Sequence, residues 1–127
     1  MNIILQNKGF VIKEMDNGVL HWHFFTGELS LEDYKEAYDY AISNPSKSPF
    51  LIMATHDSGF HFSADTWSFM IDKNTDFSFI LANALVIKQL HLRILAKLFA
   101  IIRKSTYRSK VFATEEKALF WLETCRV

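Results

Sequence analysis

Cysteine, glycine, proline and net charge are all scarce or absent in this chain of 127 residues, and each shortage removes a class of function. A single cysteine, Cys125, allows no internal disulfide and no CxxC pair, which excludes a thiolate zinc site and fits a reducing compartment. Four glycines and two prolines leave no material for a Gly-rich phosphate cradle or a Pro-rich linker, and neither GxGxxG nor GxxxxGK followed by Ser or Thr occurs. Fourteen basic against fourteen acidic residues give zero formal charge, which argues against a nucleic-acid partner and favours self-association through lack of repulsion. The longest apolar run is interrupted by Lys88 and Gln89, well short of a bilayer span, and the opening Met1-Asn2-Ile3-Ile4-Leu5-Gln6 is too short and uncharged for a signal peptide. The expectation is a cytoplasmic protein without an integral membrane segment.

What is present is core material. A composition 50% hydrophobic and 22% charged is that of a packed globular chain, and the length fits a single domain over residues 1–127. The charge is nevertheless unevenly laid out. From Glu28 to Asp76 there are nine acids and three lysines, whereas from Phe77 to Thr114 there is no acid and seven basic residues. Either an acidic first helix and a basic third helix lie solvated on opposite sides of a sheet, or Arg93, Lys97 and Lys104 form a stripe that meets an acidic partner, such as a second copy of the chain.

The periodicities alternate between strand and helix. Phe10-Val11-Ile12-Lys13-Glu14-Met15 and Val19-Leu20-His21-Trp22-His23-Phe24-Phe25 flank Asp16-Asn17-Gly18, whose Asn-Gly supplies the positive φ of a tight reversal, so a β-hairpin is predicted. Ser30 then precedes Leu31, Tyr34, Ala37, Tyr38, Ala41 and Ile42 at helical spacing, with Asp33 in place for something close to a capping box, which predicts a helix over about 31–43. Phe50-Leu51-Ile52-Met53-Ala54-Thr55 is a continuous apolar run of the kind covered on both faces. Ser63 caps a helix carrying Trp67, Met70 and Ile71, with Asp65 in its first turn, and a second buried strand is expected within 79–87. Residues 88–104 make a helix apolar over most of its circumference, Lys110-Val111-Phe112 a short strand, and Thr114 the cap of a last helix with Glu115 and Glu116 in its first turn. The order β-β-α-β-α-β-α-β-α calls for an α/β fold, a mixed and mostly parallel sheet with helices packed on it.

That order, together with the ending Leu92-Arg93-Ile94-Leu95-Ala96-Lys97-Leu98-Phe99 and Tyr107-Arg108-Ser109-Lys110-Val111-Phe112-Ala113-Thr114-Glu115-Glu116-Lys117-Ala118-Leu119-Phe120-Trp121-Leu122, resembles small STAS-like domains found in Bacteroidetes and related bacteria. The similarity spans roughly the whole chain and is most specific in its C-terminal third; the earlier part matches in element order. The wider family includes anti-sigma-factor antagonists and the STAS domains of anion transporters, so the resemblance implies a small non-enzymatic module that docks to a protein partner, in some members under control of serine phosphorylation. The lipid-binding CRAL-TRIO architecture is a more distant analogy. Phosphoregulated members resemble one another in an Asp-Ser-Ser-Gly string at the start of the second helix, and here the chain departs from them. Asp57-Ser58-Gly59 is a fragment of that string, and Phe60-His61-Phe62 intervene before Ser63. Ser58 and Ser63 therefore carry two readings each, a phosphate acceptor or ordinary turn and cap chemistry.

Other residues carry candidate chemistry. His21 and His23, two apart on a predicted strand, share one face, and His56, Asp57 and His61 lie just beyond the end of the third strand, where open α/β sheets usually place ligands. These are metal-ligand residue types, yet no HxxxH pair or HExxH appears, and no metal or other cofactor is assigned. Cys125 reads as a buried structural thiol rather than a nucleophile, and no Gly-x-Ser-x-Gly elbow occurs. Twelve phenylalanines make the chain aromatic-rich; Phe60, Phe62, Trp67, Phe69, Met70, Phe77 and Phe79 either fill the core or line a pocket for a lipid-like ligand. Three functions follow. The first is a non-enzymatic STAS-like interaction module, expected as a dimer, whose surface includes His56, Asp57, Ser58, His61, Ser63, Arg93, Lys97 and Lys104. The second is an apolar-ligand binder, and the third a metal-assisted enzyme at His56, Asp57 and His61.

Overall fold

The computed structural model describes residues 2–44, 49–72, 74–90, 92–94, 96–97 and 107–126. Strand β1 (Asn2–Gln6) runs antiparallel to β2 (Phe10–Glu14), with a register irregularity between Ile3 and Leu5. Asn7 ties the intervening turn, its Oδ1 accepting from the amides of Gly9 at 2.8 Å and Phe10 at 3.1 Å. The predicted reversal follows: Gly18 sits at φ 84°, Asn17 Oδ1 accepts from the Val19 amide, and β2 pairs antiparallel with β3 (Leu20–Phe24).

From β3 onward the main-sheet connections are crossovers. The chain passes through β4 (Gly27–Leu29) and α1 (Leu31–Ile42) to β5 (Phe50–His56), then through β6 (Phe60–Phe62) and α2 (Ala64–Ile71) to β7 (Ile80–Val86). It ends in β8 (Arg108–Phe112) and α3 (Glu115–Thr124). The six-stranded sheet has the order β1-β2-β3-β5-β7-β8, and β3, β5, β7 and β8 are mutually parallel. The apolar runs β5 and β7 are neighbours in its interior, as their composition requires. Beside it β4 and β6 form a small parallel pair. Helices α1, α2 and α3 start at capping hydroxyls, Ser30, Ser63 and Thr114, each accepting from the amide three residues on. Of the helix expected over 88–104, residues 90, 92–94 and 96–97 are helical, and the remainder, with Lys104 and Ile101, lies outside the described residues.

Strand alternation sorts the side chains onto two faces. Phe10, Ile12, Leu20, Trp22, Phe24, Phe50 and Ile52 point to one, where Tyr34, Ala37 and Ala41 of α1 meet them. Val19, Leu51, Met53, Ala82, Ala84 and Val86 point to the other, under Ala118, Leu122 and Cys125. On the α1 and α2 side the aromatics pack ring to ring: Phe24 stacks on Phe60 at 5.0 Å, and Tyr38 contacts Phe69, Phe77 and Phe79 at 4.9–5.7 Å. Phe77 and Phe79 are buried and Phe60, Phe62, Phe69 and Met70 pack against the core, so these residues fill the interior, while Trp67 is exposed. The architecture bears out the expected mixed, mostly parallel sheet and adds three short strands, β1, β4 and β6. Among the described residues no helix is long and apolar enough to cross a membrane.

Candidate functional site

Helix α3 lies over β5, β7 and β8, and among the described residues the same face of the sheet is open over β2, β3 and the carboxyl end of β5. A groove of about 630 Å3 occupies that space. Its floor is polar because alternation brings Lys13 of β2, His21 and His23 of β3 and Thr55 of β5 to this face, with Asp57 two residues beyond Thr55. Val11, Phe25 and Val86 supply apolar wall, and Lys88 and Glu115 also line it.

The parallel register sets His23 directly opposite Thr55. Thr55 Oγ1 lies 2.6 Å from His23 Nδ1 and 2.7 Å from His21 Nε2, and His23 Nε2 lies 2.8 Å from Asp57 Oδ1. A continuous hydrogen-bonded row, His21, Thr55, His23, Asp57, therefore crosses the groove floor. Burial holds the His21 ring below the ordinary histidine pKa; Glu115 opposes that shift, while His23 and Lys13 add to it.

Of the residues expected from the sequence, Asp57 joins this row, and His56 and Ser58 line the groove beside it. His56 uses Nδ1 on the Asp57 carbonyl at 2.9 Å, and its ring lies 6.0 Å from that of Phe60. His61 belongs to the small sheet, where its Nε2 sits 3.6 Å from Glu28 Oε1 with both side chains exposed. His56, Asp57 and His61 thus do not converge, and among the described residues no group of three or more His, Cys, Asp or Glu side chains is placed to hold a metal ion. The Ser63 hydroxyl is spent as a cap, accepting from the Thr66 amide at 3.1 Å and meeting Thr66 Oγ1 at 2.7 Å. Arg93 folds back, donating from Nη1 to the carbonyls of Ile87 and Lys88, so it does not stand free in a stripe with exposed Lys97. Lys13, Thr55 and Glu115 were not singled out by sequence reasoning; the signal available for Lys13 was its place two residues after Val11 in a strand facing His21.

Comparison with known proteins fits this architecture. Residues 13–126 match the family described as a domain of unknown function, DUF7793. The chain belongs to that family. The DUF7793 match starts inside β2 and takes in every groove residue named above except Val11. No curated protein matches the chain. Among solved structures it is similar to an uncharacterised protein of the DUF3478 family with a SpoIIAA-like fold from Shewanella loihica, at 16% identity over 94% of this chain and 98% of that one, with a TM-score of 0.65. At that identity the likeness is one of fold, and the STAS-like architecture expected for this DUF7793 chain is the one found.

Proposed function

We propose that this chain is a non-enzymatic, single-domain STAS-like module of the cytoplasm that regulates a protein partner by docking to it, and that residues 57–59 with the start of α2 form the docking surface. The observation that carries this reading is the construction of the loop. The Asp57 amide donates to the Phe24 carbonyl at 2.9 Å, the Asp57 carbonyl accepts from His56 Nδ1 at 2.9 Å, and the Asp57 carboxylate meets His23. Thr26 Oγ1 donates to the Ser58 carbonyl at 2.7 Å, and the Gly27 amide to that of Gly59 at 3.3 Å. Gly59 holds a φ of 79°, in the left-handed region that glycine enters without strain. The loop is thus braced from β3, β4 and β5 while Ser58 and Gly59 remain exposed. A surface that is rigid before binding loses little conformational entropy on docking.

The SpoIIAA-like fold supports the same reading. Exposure of Ser58, against the structural use of the Ser63 hydroxyl, makes Ser58 the residue through which a phosphate would alter docking. A homodimer through Leu90 and Ile94, which are 65% and 52% exposed, is the arrangement we assign to the basic half.

A photocrosslinking residue placed at Ser58, and separately at Phe120 on α3, which is also exposed, tests the docking surface in cells. A discrete partner adduct at Ser58 that is missing at Phe120 is the expected result. The same adducts at both positions, or none at Ser58, would overturn the assignment.

A further inference from the structure

The row on the groove floor has a definite sense. Asp57 is a carboxylate that accepts, so His23 carries a proton on Nε2, and an uncharged ring then presents a lone pair at Nδ1. Thr55 then donates its hydroxyl hydrogen to His23 Nδ1, and its oxygen accepts from His21 Nε2. When both rings are uncharged this assignment satisfies every contact. It leaves Nδ1 of His21 as an acceptor without a hydrogen-bond partner among the described residues, on a ring that lines the groove.

Charged side chains line the groove around that acceptor. Lys13 is directly opposite His21 in the β2–β3 register, and Lys88 and Glu115 line the same cavity. Among the described residues none of the three has an ion-pair partner, whereas the Asp57 carboxylate already accepts a hydrogen bond from His23. The groove therefore offers two free ammonium groups, one free carboxylate and one imidazole acceptor, between apolar walls from Val11, Phe25 and Val86. Its volume falls within the range of about 300–1,000 Å3 usual for sites that hold small organic molecules. An ammonium or hydroxyl donor suits His21 and Glu115, and an anionic group suits the lysines.

We propose that the groove is a binding site for a small organic acid that also carries a hydrogen-bond donor, an amino acid or hydroxy acid, with its carboxylate at Lys13 and Lys88 and its donor at His21 Nδ1 and Glu115. The site is separate from the docking surface in its ligand and joined to it by structure, because the floor ends at Asp57, the first residue of the braced loop.

The test is titration of the isotopically labelled full chain with free amino acids and small hydroxy acids at millimolar concentration, followed by amide NMR shifts at Lys13, His21 and Thr55. Ethanolamine, which lacks the carboxylate, and inorganic phosphate, which lacks the carbon skeleton, are titrated in parallel. Saturable shifts at these positions are expected with at least one acid, weakened about tenfold or more by Lys13→Ala. Lys88→Ala, on an exposed side chain, is expected to weaken the same acid and serves if Lys13→Ala fails to fold. The proposal is overturned if no acid shifts these amides, if ethanolamine or phosphate binds as tightly as the acids, or if the folded lysine variants keep full affinity. No protein partner enters the measurement, so its result is independent of the docking surface.

Discussion

On the α1 and α2 side the sheet is closed by interlocked rings, while on the other side α3 covers β5, β7 and β8 and, among the described residues, a groove lies beside it. Strand β5 shows the difference within a single face. Leu51 and Met53 lie buried under α3, whereas Thr55 and then Asp57, continuing the same alternation, enter the hydrogen-bonded row. Burial changes from apolar to polar where the helix ends its cover. Two kinds of stabilisation are therefore separated by a few ångströms of one strand: apolar area and dispersion where α3 covers it, and directional hydrogen bonds beyond that cover.

The sharpest way to break that contrast is to weaken each side separately and compare urea denaturation. Phe10 is fully buried on the closed side with its ring edge-on to Phe24 at 6.4 Å, so Phe10→Ala is expected to cost about 3–5 kcal/mol. Thr55→Val keeps the shape of the side chain but breaks the row at its centre, and the expected cost is about 1 kcal/mol, restored by Thr55→Ser. A Thr55→Val loss as large as that of Phe10→Ala would mean that the groove floor belongs to the core.

The smallest effect expected is one of pH, and it too belongs to the open side. Burial disfavours the charged form of His21, so below the ordinary value of 6.5 the unfolded chain takes up the proton more readily than the native one. Stability is then complete above about pH 6.5 and declines as the pH falls from there through the lower native value. Urea midpoints measured across that window should fall less steeply in His21→Asn; an unchanged slope would remove His21 as the cause.

Much of this was legible in the sequence where one local force dominates. Continuous apolar runs placed β5 and β7 inside the sheet, the Asn17-Gly18 pair placed the hairpin, and serine or threonine before an acidic first turn placed the helix starts. The short strands β4 and β6 were not legible, because three residues carry too few alternations and each is stabilised by pairing with a segment more than thirty residues away. β1 is an exposed edge strand whose pattern is half satisfied by solvent. The site was legible in part. The shared face of His21 and His23 follows from their spacing, but Thr55 in an apolar run reads as an ordinary β-branched strand residue, and only the β3–β5 register brings it between them. Adjacency in sequence pointed instead to His56, Asp57 and His61, and strand alternation separates neighbours that adjacency suggests belong together.

The irregular register between Ile3 and Leu5 bears on how this molecule behaves in crowded solution. A smooth outer strand carrying an apolar side chain such as Ile3, 61% exposed, would template the addition of further chains in the manner of a growing fibril. The shift in register disrupts the ladder at that point, and an irregularity of this kind increases local twist, so that ordered stacking of copies along the margin of the sheet lacks a flat seed.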